Sequence, residues 1–267
     1  MTGVLPFDPL AAGSPETLVL FSARVGGLVL LAPVLSASVV PRLVRVGIII
    51  LLTVLMQPAA LAAAHAAHLV PAVTPVALLG ETLVGMAMGL GAALLVGAAE
   101  TAGDVMAIQI GLSGAAILDP LDNTQVAVTG TFMRLFAITL LLTLNLHGVM
   151  LGALADSVTA IPVGTPLSAA GGAWAMVMSA GQLFALGVRF AAPVIAVVMV
   201  AHVAMAILGR AAPQLNILSV SFPVQIALGL GTLVASLPAI ARWFTGWSGT
   251  YATTVQSIAN ALTTAPR

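Results

Sequence analysis

The sequence predicts an all-α, integral membrane-type protein of about six long hydrophobic helices or helical hairpins. Three observations lead there. Hydrophobic residues make up 60% of the 267 positions, charged residues only 6%, and the mean hydropathy is +1.16. The apolar residues gather into six stretches close to the ~20 residues that a bilayer-crossing helix needs. Those stretches are continuous rather than alternating, which favours helices over barrel strands. A soluble domain carries about 25% charged residues, so eight acidic and eight basic side chains cannot cover a water-facing surface of this size. The composition excludes a water-soluble globular enzyme, a disordered chain and a nucleic-acid binder. All eight basic residues are arginine and Cys is absent. Lysine Schiff-base chemistry, a P-loop lysine, thiolate catalysis and Cys-ligated metals are therefore excluded.

The chain reads as a single region over 1–267, with an N-terminal tail at 1–16 and a C-terminal tail at 245–267. The first sixteen residues hold Asp8 and Glu16 and no basic residue. A secretory signal opens on a positive segment, so no cleavable signal is expected. The first apolar stretch runs from Thr17 to Leu35 and contains Arg24. The second runs from Leu43 to Ala64, with Pro58 inside. The third, Val76 to Ala99, contains Glu81. The fourth, Val126 to Leu154, contains Arg134. The fifth, Gly172 to Leu208, is too long for one span, and Arg189 and Pro193 near its middle predict a bent or broken helix or a hairpin. The sixth runs from Phe222 to Phe244. Trp174, Trp243 and Trp247 flank the last two stretches, where indole rings settle at a lipid–water boundary. Arg42, Arg45 and Arg210 on the cytoplasmic side put the N-terminus outside, although Arg242 and Arg267 then oppose the rule.

Arg24, Glu81, Arg134 and Arg189 each place a charge inside an apolar stretch, at about 2.5–3.5 kcal/mol for a central Arg. Two readings stand side by side: an internal ion pair such as Glu81 with one of the arginines, or charges that line a polar path or meet another subunit. Gly85 and Gly89 form a GxxxG, followed by Gly91 and Gly97, and let helix backbones approach within the chain or across to another. Between the third and fourth stretches, Glu100 and Asp104 share one helix face. Gln109, Gly111, Ser113 and Gly114 follow, then Asp119-Pro120-Leu121-Asp122-Asn123. The glycines and Asp-Pro end the helix, and Asp-Asn caps the next at about residue 123. The loop stays apolar through Leu112, Ile117 and Leu118, as a segment buried in a constriction would.

Two chemical motifs are weighed and set aside. Gly111-Leu112-Ser113-Gly114 matches the GxSG of rhomboid-type intramembrane proteases, with His202 as a candidate base, but four residues from so Gly-rich a chain match by chance. His65 and His68 share a helix face without a third ligand nearby, and headgroup contact is expected of them instead. Asn145 and His147 are expected to hydrogen-bond between helices. A secondary transporter would show paired broken helices in two halves, and only the fifth stretch has such a break.

Several stretches, taken in order, are similar to the FliR/SctT family of type III export-gate proteins. They are Phe21-Ser22-Ala23-Arg24-Val25-Gly26-Gly27 on to Ala32-Pro33, and Val40-Pro41-Arg42 with Arg45. Gly111-Leu112-Ser113 on to Asp119-Pro120, Asn145-Leu146-His147-Gly148 and Ile161-Pro162-Val163-Gly164 follow. Ala212-Pro213-Gln214-Leu215-Asn216-Ile217 with Phe222-Pro223 closes the set. The resemblance implies a single-copy, non-enzymatic subunit without cofactor or metal. By it, the partners are FliP, FliQ and FlhB-type subunits and unfolded export substrates. The place is the bacterial inner membrane at the flagellar basal body, with the injectisome as the alternative branch. It further implies that Gly111, Leu112, Ser113, Gly114, Ile117, Leu118, Asp119 and Pro120 form a plug or gate loop. Arg24, Glu81, Glu100, Asp104, Arg134 and Arg189 would then face subunit contacts rather than lipid.

Overall fold

The structure is a computed structural model in which residues 14–37, 40–112, 128–166, 169–214 and 216–263 are described. Among these residues the chain forms eight α-helices and no strand. They are α1 (Ser14–Leu31), α2 (Arg42–Ala66), α3 (Pro75–Ile110), α4 (Val128–Thr143), α5 (Leu146–Ala160), α6 (Ala169–Ala211), α7 (Ile217–Thr245) and α8 (Trp247–Thr263). Among the described residues four stretches, on α2, α3, α6 and α7, are long and apolar enough to cross a membrane. The number becomes five if α4 and α5 count as one broken span. The first apolar stretch does not join them: α1 has 18 residues and turns Leu20, Phe21, Val25 and Leu28 inward.

Three element boundaries depart from the sequence reading. The third stretch and the polar segment after it form one 36-residue helix, α3, because nothing before Gly111 breaks the backbone ladder. The fourth stretch breaks at Leu144–Asn145, where Asn145 takes φ +55°, the left-handed conformation that Asn tolerates better than most residues. The fifth stretch is neither broken nor a hairpin. It is one 43-residue helix with Pro193 inside. The bond that Pro193 cannot make belongs to the carbonyl of Arg189, and both residues are exposed, so the loss falls at the surface of the chain. At 1.5 Å per residue α6 is about 65 Å long, roughly twice a ~30 Å hydrocarbon core.

The chain divides into two compact units, and α3 and α6 contribute to both. The first comprises 1–94, 145–180 and 248–267. Here α2 lies against α1 and α5. The α1–α3 crossing is unusually close. A Cβ on Gly85 would strike the Arg24 carbonyl and approach the Leu28 nitrogen to 2.9 Å, and one on Gly27 would strike the Thr82 carbonyl. The GxxxG at Gly85 and Gly89 is therefore an intrachain contact between α3 and α1. On α8, Tyr251 packs its ring on Gly91 and donates its hydroxyl to the Met88 carbonyl at 2.9 Å. Burial pushes the Tyr251 phenol above its ordinary range.

The second unit comprises 95–144 and 181–247. Small residues again set its crossings. Gly103 on α3 meets the Thr129 carbonyl and Gly130 on α4, and Gly187 on α6 meets the Ala98 carbonyl. Gly229 on α7 meets the Ile110 side chain. Phe190 on α6 lies edge-on to Trp243 at 5.4 Å and stacks with Phe244 at 6.4 Å. Trp247 is buried and Trp243 half-buried. Trp243 thus packs on Phe190 and Trp247 is covered by the protein, whereas Trp174 is exposed.

Candidate functional site

The most polar feature of the first unit lies in its interior. Arg24, in the middle of α1, is fully buried, and Glu81, near the start of α3, is 1% exposed. The close crossing at Gly27 and Gly85 brings them together. Arg24 Nε donates to Glu81 Oε2 at 2.6 Å. Nη1 donates to the Ser157 carbonyl at 3.1 Å and to Ser157 Oγ at 3.2 Å. Nη2 donates to the Ile161 carbonyl at 2.9 Å. The other Glu81 oxygen accepts the Gly164 backbone N–H at 3.2 Å. The guanidinium carbon also sits 5.9 Å from the Phe21 ring centroid.

One ion pair thus fastens four pieces of chain: α1, α3, the end of α5 and the turn that follows. Arg24 places its charge on the last carbonyls of α5, where the helix dipole is negative. Glu81 takes an amide of a turn closed by the Thr165 N–H on the Pro162 carbonyl at 3.1 Å. Gly164 in that turn has φ +90°, a conformation suited to glycine, and a Cβ there would press on Pro71. Arg24 uses four of its five donor positions and Glu81 both oxygens. This is the satisfaction that a buried pair needs to offset its desolvation. Of the two readings left open for these charges, Arg24 and Glu81 adopt the internal pair. Ser157 was not singled out in the sequence. Its only signal is a hydroxyl at the end of an apolar run.

The second unit carries the base of the loop. α3 ends at Ile110, and Gly111 follows with φ +84°, the left-handed residue that commonly closes a helix. A Cβ on Gly111 would lie 3.4 Å from the Phe222 ring on α7. Leu112 is 39% exposed. Ser113, Gly114, Ile117, Leu118, Asp119 and Pro120 lie outside the described residues, as does the cap expected at about residue 123. The chain re-enters at Val128, and the contact of Gly103 with Thr129 and Gly130 holds the departing and returning helices together.

Four charges expected at subunit contacts lie on this unit and are at least partly exposed. Glu100 and Arg134 approach to 3.8 Å, with side chains 42% and 51% exposed. Asp104 is exposed, with its carboxylate against Gly130. Arg189 is exposed and has no ion-pair partner among the described residues. Around them stand exposed apolar side chains, including Phe132, Leu135, Phe184 and Val188. His65, His68, His147 and His202 are exposed, and Asn145 serves as the break before α5 rather than as an interhelical bridge. Among the described residues no group of His, Asp and Glu converges as a metal site would.

The described residues thus show many exposed apolar side chains, a buried and satisfied Arg24–Glu81 pair in the first unit, and at least partly exposed Glu100, Asp104, Arg134 and Arg189 in the second. Comparison with known proteins shows the family. A profile of the family described as bacterial export proteins, family 1, matches residues 16–250. The flagellar biosynthetic protein FliR of Escherichia coli is 32% identical over 223 residues, covering 82% of this chain and 83% of that protein. FliR of Pectobacterium carotovorum is 30% identical over 224 residues, covering 81% and 82%. FliR of Caulobacter vibrioides is 28% identical over 223 residues, covering 84% and 89%. The chain belongs to the bacterial export proteins, family 1.

Proposed function

We propose that this protein is a non-catalytic subunit of the flagellar type III protein export gate. In this reading it sits in the bacterial inner membrane at the basal body, assembled with FliP, FliQ and FlhB-type subunits around a path for unfolded export substrates. The observation that carries it is the family match over most of the chain, joined to helices that leave large apolar side chains uncovered. On α2, Leu43, Leu51 and Leu55 are 85%, 65% and 71% exposed, as expected of a surface made for lipid or for other apolar helices. The flagellar name of the relatives supports the flagellar over the injectisome branch.

The loop from Gly111 to Pro120 is the closure. Leu112, Ile117 and Leu118 seal a narrow apolar constriction, which excludes ions by dewetting, and Gly111 and Gly114 let it move. Glu100, Asp104, Arg134 and Arg189 meet neighbouring subunits, where opposite charges compensate them. The test has two parts. Wild-type protein in mild detergent should co-purify in a large hetero-oligomer, and its loss should abolish flagellar export and motility. Deleting residues 111–118 should raise ion leakage through the assembled complex while some secretion persists. A lone monomer with full activity, or an unchanged conductance after the deletion, refutes the reading.

A further inference from the structure

The first unit contains a cleft of about 180 Å³ between α3, α5 and α8. Its walls are short or apolar: Ala87 and Met88 from α3, Ala153 and Ala160 from α5, Ala252 and Val255 from α8. Its lining includes the buried Ser157, which accepts from Arg24. Its rim carries Asp156 and Gln256, both exposed. The slot is therefore apolar along its length and acidic at its mouth.

Asp156 is the one carboxylate lining the slot. It lies just before the last turn of α5 and is exposed at the edge of the slot. Its carboxylate has no ion-pair partner among the described residues. The nearby cation, Arg24, is already neutralised by Glu81. One negative charge thus stands uncompensated above a narrow greasy slot. The complementary ligand has a long aliphatic stem ending in a cation, which describes an arginine or lysine side chain. The cleft wall also argues for protein rather than lipid. Among the described residues α8 is not one of the helices long and apolar enough to cross a membrane, and its Gln256 is exposed at the edge of the slot. A polar rim around an apolar centre is the anatomy of a protein interface.

We propose that this cleft receives an arginine or lysine side chain of a partner subunit, with its stem along Ala87, Ala153 and Ala252 and its head on Asp156. The proposal rests on the export-gate reading, in which such partners exist. The chain has no cysteine, so Ala252→Cys gives a single labelling site. Full-length protein carrying this change, labelled with a photoreactive maleimide and expressed with its export apparatus, is cross-linked in mild detergent, and the linked peptide is read by mass spectrometry. The expected peptide comes from another subunit and contains Arg or Lys beside the adduct. Asp156→Arg should cut that cross-link about tenfold or more, and Asp156→Asn by less. Reversing the partner's basic residue to Glu should restore it in the Asp156→Arg background. Circular dichroism of both Asp156 variants checks that they fold. A link to lipid, or to this chain's own Arg267, overturns the proposal, as does a cross-link indifferent to Asp156→Arg. If wild-type protein draws down no partner at all, the export-gate reading falls with it. If partners co-purify but link elsewhere, only the cleft assignment fails.

Discussion

Replacing Glu81 with Gln keeps the volume of the side chain and removes one charge from the Arg24 network. The carboxylate accepts from Arg24 Nε on one oxygen and from the Gly164 N–H on the other. Gln offers one acceptor and one donor group, so either orientation sets a donor against a donor. It also leaves the Arg24 guanidinium, which is fully buried, without its counter-charge. Breaking a buried pair by removing one partner costs about 3–5 kcal/mol, a large share of a typical 5–15 kcal/mol stability. The same range is expected for Glu81→Leu and for Arg24→Met. The double variant Arg24→Met with Glu81→Leu removes both charges together. It leaves the Gly164 N–H and the Ile161 carbonyl unpaired, at about 1–3 kcal/mol each, while the Ser157 carbonyl keeps its bond from the Ile161 N–H at 2.9 Å. The double variant should therefore cost clearly less than the sum of its singles. The assay is unfolding of detergent-solubilised protein by titration with sodium dodecyl sulfate, followed by circular dichroism, as a double-mutant cycle. Singles that unfold with wild type, or strictly additive costs, would refute the assignment of this pair as the clamp on the end of α5.

Other expectations can be checked with the same preparation. Gly85→Ala should destabilise by about 1–3 kcal/mol because its Cβ meets the backbone of α1. Gly26→Ala, whose Cβ meets nothing within 4 Å, should be neutral or stabilising by up to about 1 kcal/mol; equal effects at the two sites would contradict the crossing geometry. Gly111→Ala should cost about 1–2 kcal/mol from its positive φ, seen as a lower unfolding midpoint and, in the assembled gate, as altered ion leakage. Tyr251 is the single tyrosine, so its ultraviolet titration is unambiguous. Because burial raises its pKa, folded protein should form tyrosinate only above the ordinary value of about 10. The stability tied to the neutral phenol is intact below that pH and is lost as pH rises beyond it. A normal titration in folded protein would show that the ring is not buried. Tyr251→Phe should cost about 0.5–1.5 kcal/mol through the lost bond to the Met88 carbonyl.

Much of the helical framework was readable because its signals are local. α2 begins one residue from its expected start and ends two residues beyond the expected end, with Pro58 inside as anticipated. Gly111 ends α3 as its position implied. The break at Asn145 was missed because a single left-handed Asn leaves no periodic trace. The uninterrupted α6 was missed for the opposite reason: Pro193 is a strong local breaker whose penalty is softened when the orphaned carbonyl is exposed. The ring contact of Trp243 with Phe190 was not legible, because it joins residues remote in sequence.

Composition alone set the solvent of this protein, because sixteen charges among 267 residues leave no choice of surface. The ordered motifs alone set its family resemblance. What the folded chain decided was pairing. Glu81 had three stranded arginines to choose from, and it meets Arg24, 57 positions away, because Gly27 and Gly85 let two backbones touch. The carbonyls of Ser157 and Ile161 complete the site from more than 130 residues off. Local propensity carries no record of such distances. They exist only once helix faces have closed on each other, and in an apolar interior the stranded charges must then take whichever partners that closure brings within reach.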